Sequence, residues 1–364
     1  MRILLCGGGS AGHVNPAIAI GETILKNSPQ SQVAYVATMT GIENRLVNYK
    51  KYHIDVKGLK RKLCFSNIKS IILVMEAIKK SKQIIKEFAP DIIIGTGGYA
   101  TYPVIYAGHK LHIKTALHES NVLPGKAIKM LENKADIIFT NFSDSSQYFK
   151  NKDKVIHVGN PLRNGFNSYD KEEIKRKLGI REKYVILCYG GSLGAEKINK
   201  SGIEIIENYI KYQKNIHFIL ATGKREYYSV IDTMKQKRLN KLENVTVVEY
   251  IYDMPEKMAI ADIVISRAGA MTISELAASK KCSILIPSPY VADDHQMKNA
   301  IALEKMGAAI LVTENKTYCL TDVIKELLSD VRKRKNMSDN INQFYSPDAN
   351  KEIYRCICEM VNNK

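Results

Sequence analysis

The chain has 364 residues, 45% of them apolar and 25% charged, and a formal net charge of +17. Such a length exceeds what one core ordinarily supports, so about two domains are expected, in a composition typical of soluble globular proteins. No apolar run approaches the roughly 18 to 20 residues that cross a bilayer, and "ILLC" behind Arg2 is too short for a signal-peptide core, so an unprocessed cytoplasmic protein is expected.

The first predicted strand, "RILLC" (2–6), runs straight into "GGGSAGHVNPA" (7–17). Gly7, Gly9 and Gly12 have the G-x-G-x-x-G spacing of a dinucleotide cradle. The second strand, "VAYVAT" (33–38), argues against that reading. It ends in Thr38, Met39 and Thr40 where a ribose-binding acid is required, and Glu43 falls inside the next helix. No nicotinamide or flavin cofactor is therefore expected. His13 replaces it as the residue of interest, because an imidazole in the first turn of a helix is biased toward the neutral form that a general base needs. The same position suits a histidine that merely hydrogen-bonds the loop. Pro16 is expected in that first turn, where its missing N–H matters little.

After a strand at "HIDV" (53–56), the window 57–88 holds nine basic residues (Lys57, Lys60, Arg61, Lys62, Lys69, Lys79, Lys80, Lys82 and Lys86) against Glu76 and Glu87. Ile68, Ile71, Ile72, Met75 and Ile78 fall on one helical stripe and are expected in the core, leaving Leu73 outward. A basic helix with spare apolar surface can lie on an anionic membrane, and it can equally be a solvated lysine-rich helix. Strands "DIIIGT" (91–96), "KTALHE" (114–119), "DIIFTN" (136–141) and "KVIHVGN" (154–160) complete the first half. A boundary is expected near 160–168, in "GNPLRNGFNSYD".

The second half repeats the rhythm with "YVILCYGG" (184–191), "IHFILATG" (216–223), "VTVVEY" (245–250), "DIVISRAG" (262–269), "CSILIP" (282–287) and "AAILV" (308–312). Short apolar runs alternating with helices predict an α/β protein of two doubly wound parallel sheets. Four strand ends carry glycine loops: 7–13, "GTGGY" (95–99, ending in Tyr99), "GGSLGA" (190–195) and "RAGAMTISE" (267–275). Together they point to close backbone approach to phosphates or sugars. Ser192 adds a hydroxyl donor to one of them. Glu275, about one turn into a helix, can accept hydrogen bonds from a ribose, and Gln296 and Asn299 on one helical face suit hydroxyl-rich ligands. The seven scattered cysteines contain no C-x-x-C pair and argue against a metal or disulfide framework. Nucleic-acid binding would explain the charge but none of the glycine loops.

In this order and spacing, "GGGSAGHVNP", "GTGGY", "HESN", "GNPLR", "GGSLGA", "SRAGAMTISE" and "DDHQMKNA" resemble the MurG family over about residues 2–360. The resemblance implies a GT-B fold whose two Rossmann-like domains face a central cleft. The expected domains are 1–162, binding acceptor and membrane; 163–340, binding UDP-GlcNAc; and a helix in 341–364 packing back toward the first. It implies an inverting transfer of N-acetylglucosamine from UDP-GlcNAc to the 4-hydroxyl of undecaprenyl-pyrophosphoryl-MurNAc-pentapeptide, giving lipid II. The setting is peripheral, at the cytoplasmic face of the membrane, with no metal or other cofactor and no nucleic acid. Motif by motif, it implies contacts from Ser10, Ala11, Gly12 and Tyr99, with His13 as first candidate base and Glu119 as second. Asn121, Arg163, Ser192, Ile251, Ala270, Met271, Thr272, Glu275, Gln296 and Asn299 would meet donor or sugar. The chain departs from the family pattern at Ala11, Ser120 and Leu193 and lacks tryptophan, which leaves Leu63, Phe65 and "IILVM" (71–75) as interfacial anchors. A sugar transferase acting on diacylglycerol and a non-catalytic nucleotide-sugar-binding subunit are the alternatives.

Overall fold

The computed structural model describes residues 1–56, 66–291 and 294–362. Among them, thirteen strands form two parallel sheets, and the chain divides into two units. Met1–Asn164 with Ser346–Lys364 make one unit, and Gly165–Tyr345 make the other.

The first unit contains β1 (Arg2–Cys6), β2 (Gln32–Thr38), β3 (Lys50–Ile54), β4 (Ile92–Gly95), β5 (Lys114–Glu119), β6 (Ile137–Thr140) and β7 (Val155–His157), in the order β3-β2-β1-β4-β5-β6-β7. Its central strands are apolar throughout because helices cover both faces: Ile3, Leu5, Ile92 and Ile94 face one layer, Leu4, Cys6 and Ile93 the other. The order reverses direction beside β1 and β4, where a doubly wound sheet opens its ligand crevice. The helix Ala349–Asn362 belongs to this unit. Ile353, Cys356 and Ile357 join the core layer that includes Ile3 and Leu5, and the Asn350 amide donates to Thr23 Oγ1 (2.7 Å) and Leu162 O (2.9 Å).

Three details depart from expectation. β3 covers Lys50–Ile54 rather than 53–56, pairing Lys50 with Ala34 and Ile54 with Thr38. It is an edge strand, and its lysines break the apolar run while keeping such an edge from pairing elsewhere. Pro16 stands in the second turn, because the helix Ala11–Asn27 begins directly after Ser10. It withholds an N–H from Gly12 O. In the helix Ser66–Phe88 the inward stripe is Val74, Ala77, Ile78, Ser81, Ile84, Ile85 and Phe88. Its phase is set by the apolar residues of the C-terminal half. Ile72 (51% exposed) and Met75 (66%) therefore face outward, on the face that carries Lys79 and Lys86, while Leu73 is half-buried. The readings that concern Lys57, Lys60, Arg61, Lys62, Leu63 and Phe65, and the side chains of Ile68, Lys69 and Ile71, lie outside the described residues.

The second unit contains β8 (Tyr184–Tyr189), β9 (Ile216–Ala221), β10 (Val245–Val248), β11 (Ile263–Ser266), β12 (Cys282–Leu285) and β13 (Ile310–Leu311), ordered β10-β9-β8-β11-β12-β13. Ile186, Cys188, Phe218, Leu220, Ile263 and Ile265 fill one side of its core. The reversal again falls at the pair β8 and β11, and the glycine loops follow those two strands.

Candidate active site

In the first unit the loops after β1 and β4 close on each other. Gly8 N donates to Gly97 O (3.2 Å), Thr96 N to Cys6 O (2.9 Å), and Thr96 Oγ1 to His13 O (2.5 Å). The fit requires glycine twice. Gly97 (φ +103°) and Gly98 (φ +77°) are left-handed, and a Cβ would stand 2.7 Å from His13 Cδ2 at the former and 2.0 Å from Gly8 O at the latter.

This packing fixes His13. Its Nδ1 lies 3.1 Å from Gly8 O and 3.3 Å from Ser10 Oγ. A carbonyl only accepts, so the neutral ring carries its proton on Nδ1 and presents Nε2 as a lone pair. Burial holds the imidazole below its usual range, opposed in part by the bond to Gly8. Ser10 occupies the N-cap in extended conformation, Ala11 and Gly12 open the helix, and no acidic residue in the first turn offsets its dipole. The Ala11 methyl is accommodated, since Ala11 is helical rather than left-handed. Tyr99 lies against Gly9, and burial raises its hydroxyl pKa with help from the Glu43 carboxylate. Glu43, fully buried, accepts from Thr38 N (2.8 Å) and Thr38 Oγ1 (2.6 Å). It ties off the end of β2, a role the sequence did not reveal.

At the end of β5, Glu119 is also buried, and both its oxygens are engaged. Oε1 accepts from Asn121 N (2.8 Å) and Asn121 Nδ2 (3.0 Å), and Oε2 accepts from Gly125 N (2.8 Å). Burial raises its pKa against those three bonds. Glu119 and Asn121 are thus one hydrogen-bonded pair that shapes the loop 120–125. The adjacent His118 lies 3.1 Å from Gly159 O through Nε2, and burial pushes it down to about 4. Arg163 belongs to the first unit, where its Nε pairs with Glu22 Oε1 at 3.6 Å. Glu22 is nine residues beyond His13, about 13 Å along the helix at ~1.5 Å per residue, so this contact holds Arg163 away from the His13 loops.

In the second unit every expected contact follows a strand of the same sheet. Ser192 lies after β8, in a turn closed by Gly194 N to Gly191 O (3.0 Å) before the helix Glu196–Asn208. Buried Asn199 donates to Thr222 O (2.9 Å), joining that helix to the loop after β9. Ile251 is buried after β10. After β11 the helix Ala270–Ala278 starts from Gly269 with no side-chain cap and no acidic residue in its first turn. Ala270, Met271 and Glu275 are buried and Thr272 half-buried. Burial raises the Tyr189 hydroxyl well above its usual range, and the Glu275 carboxylate beside it adds to the effect. Gln296 and Asn299 hold loops: Gln296 Oε1 accepts from Ser288 N (2.9 Å), and Asn299 Nδ2 donates to Ala268 O (3.1 Å). Arg267 completes the brace, donating to Ile286 O (3.0 Å) and pairing with Glu314 at 2.5 Å. Sequence reading missed this pair; the one available signal was a cation at the end of an apolar strand, in "VISRAG".

Two doubly wound parallel-sheet units with glycine-built strand ends define a protein of the GT-B fold class. Residues 3–140 match the glycosyltransferase family 28 N-terminal domain and residues 185–353 the glycosyltransferase family 28 C-terminal domain. The chain is 37% identical over 370 residues to the UDP-N-acetylglucosamine--N-acetylmuramyl-(pentapeptide) pyrophosphoryl-undecaprenol N-acetylglucosamine transferase of Acetivibrio thermocellus, covering 100% of this chain and 99% of the relative. It is 39% identical over 363 residues to the enzyme of the same name from Thermoanaerobacter sp., covering 98% and 99%. It belongs to this family of N-acetylglucosamine transferases, the MurG family. Among solved structures, Acinetobacter baumannii MurG shares the fold with a TM-score of 0.68 at 24% identity, over 98% of this chain and 99% of that one. The Neisseria meningitidis UDP-GlcNAc 2-epimerase bound to UDP-GlcNAc does so at 0.68 and 16%, over 99% and 100%.

Proposed function

We propose that this protein transfers N-acetylglucosamine from UDP-GlcNAc to the 4-hydroxyl of undecaprenyl-pyrophosphoryl-MurNAc-pentapeptide, inverting the anomeric centre and forming lipid II. The full-length relationship to transferases of that name carries the reading. The acceptor is taken by the first unit and the donor by the second. His13 Nε2 removes the hydroxyl proton as the oxygen attacks; its seat against Gly8 O supports the role, because the tautomer is fixed and the ring is neutral at physiological pH. Glu119 acts by positioning Asn121 and its loop, since both carboxylate oxygens are already engaged.

The departing UDP is held by the amides and the uncapped helix at Ala270, with Ser192 and Thr272 adding hydroxyls. Ala270 through Glu275 line the nucleotide, Glu275 binds the ribose and Ile251 packs near uracil. Gln296 reads the sugar hydroxyls, with Asn299 beside it. Ser10, Ala11, Gly12 and Tyr99 contact the acceptor, and Asn121 and Arg163 are further donor contacts.

Among the described residues no helix is long and apolar enough to cross a membrane. The 57–88 segment docks the enzyme peripherally on the anionic cytoplasmic face, with Ile72 and Met75 entering the interface beside Lys79 and Lys86. Incubation with labelled UDP-GlcNAc and the muramoyl lipid tests the reaction: labelled lipid II is expected, and transfer to diacylglycerol instead, or donor binding without transfer, would overturn it. Near-normal turnover by His13→Ala would remove His13 as base. Vesicle binding should weaken as salt rises, and salt-independent binding would contradict the electrostatic docking.

A further inference from the structure

The second unit carries a cavity of about 240 Å³ that the proposed reaction does not use. Ala261 and Asp262, which precede β11, and Lys280 and Lys281, which precede β12, form one wall; Arg334, Lys335 and Ser338 on the helix Val331–Asn342 face them. It therefore lies at the amino ends of the strands, whereas the donor loops follow their carboxyl ends. Five cations (Lys171, Lys280, Lys281, Arg334 and Lys335) line it against one carboxylate, Asp262.

That carboxylate is already committed. Asp262 Oδ1 pairs with Lys171 Nζ at 2.5 Å, and Oδ2 accepts from Val185 N at 2.9 Å. Lys281 donates to Ala259 O and Ala261 O (3.1 Å each), where a helix ends and a cation is favoured. Arg334 and Lys280 also stand at helix ends, Arg334 beside Leu327 of the helix Leu320–Ser329 and Lys280 just past the helix Ala270–Ala278. Arg334 donates to Leu327 O and stacks over the Tyr184 ring at 5.3 Å, and among the described residues neither it nor Lys280 pairs with a carboxylate. Lys335 has only the exposed Asp339 (3.0 Å). Lys280 is left-handed, at φ +52°, in the position past a helix end that favours glycine.

We infer that this cavity is a second anion site, distinct from the donor loops, and that it takes a phosphate or diphosphate group through Lys280, Lys281, Arg334 and Lys335. Its volume admits such a group. Guanidinium and ammonium donors converging from two elements suit a multivalent oxyanion. One further property follows from Lys281. Burial and the neighbouring Lys171 push it down to about 8, against the pull of Asp262, so part of it is neutral in the empty cavity near that pH. A bound anion, with Lys280, Arg334 and Lys335 around it, restores that proton, and binding takes protons up.

Calorimetric titration with inorganic diphosphate, with UDP saturating the donor loops, tests the site. A Lys280→Gly/Lys335→Gln variant is compared with wild type; Lys280→Gly relieves the left-handed strain and preserves folding. The variant should lose one diphosphate equivalent or weaken it at least tenfold, and the wild-type heat at pH 8 should depend on the buffer's ionisation enthalpy. A parallel arm uses vesicles with and without phosphatidylglycerol. Variant-sensitive binding of the soluble ion makes the occupant a free phosphate compound, and variant-sensitive binding confined to anionic vesicles makes it a lipid headgroup. Identical titrations of variant and wild type in both arms would overturn the inference. Transferase activity of the variant is expected to be unchanged, so the outcome is independent of the reaction proposed above.

Discussion

Gly97→Ala separates the seating of His13 from the stability of its loop. At Gly97 an added Cβ would stand 2.7 Å from His13 Cδ2, so the ring must retreat by about 0.7 Å to reach ordinary contact at 3.4 Å. The Nδ1 to Gly8 O bond is 3.1 Å, and a shift of that size away from the loop carries it past a useful hydrogen-bond length. The backbone adds its own penalty, about 1–2 kcal/mol for a left-handed alanine. Gly179→Ala isolates that second term, because Gly179 (φ +71°) ends the helix Lys171–Leu178 with nothing within 4 Å of its Cβ. Both variants should therefore lose a few degrees of melting temperature, roughly 2–4 °C per kcal/mol for a unit of this size. Only Gly97→Ala should lose turnover, by roughly 10²-fold for a base displaced on the ångström scale. UDP affinity, measured by calorimetry, should be unchanged in both. If folded Gly97→Ala transfers N-acetylglucosamine within twofold of Gly179→Ala, the seating of His13 against Gly8 and Gly97 has no part in catalysis.

His118 should make the protein acid-sensitive. Its pKa is lowered from 6.5 to about 4, so the unfolded chain takes up the proton first and stability falls as pH drops from 6.5 toward 4. Between pH 7 and 5 the loss from this group is about 2 kcal/mol, and His118→Gln should flatten that part of a denaturant series. Glu119→Gln should destabilise the first unit by about 1–3 kcal/mol, because one carboxylate oxygen that accepts an N–H becomes a donor facing it. Its turnover should fall without moving the acid limb of the pH–rate profile, and loss of that limb would make Glu119 the base instead. Arg267→Gln should strand the Glu314 carboxylate and loosen the loops after β11 and β12. UDP binding is expected to weaken about tenfold with the acceptor KM unchanged, and unaltered UDP affinity would show that the brace is irrelevant to the donor.

The strands were legible because residues such as Ile92 to Ile94 and Ile263 to Ile265 are covered on both faces, so apolarity alone marks them. β3 was displaced because Lys50 and Lys51 stand at an edge, where water replaces one neighbour. The outward face of Ser66–Phe88 differs from expectation for a related reason. "IILVM" is the densest apolar run, but Ala77, Ile84 and Phe88, spread thinly among lysines, decide which side meets the sheet. The site was legible as loops and opaque as contacts. His13 could be singled out from its helix turn, whereas its dependence on Gly97 joins residues 84 positions apart, and Arg267 meets Glu314 across 47. Such pairs leave no local pattern, because each partner obeys only its own strand end.

The return of the helix Ala349–Asn362 to the first unit has a consequence during synthesis. Residues 165–345 are made between the two parts of that unit, which at 5–20 residues per second occupies on the order of 10–40 s. Until Asn350, Ile353 and Ile357 leave the ribosome, the layer containing Ile3 and Leu5 is open and Thr23 and Leu162 lack their clasp. The half begun first is thus the half completed last, and a nascent chain stalled anywhere in the second half presents a greasy groove to chaperones and proteases.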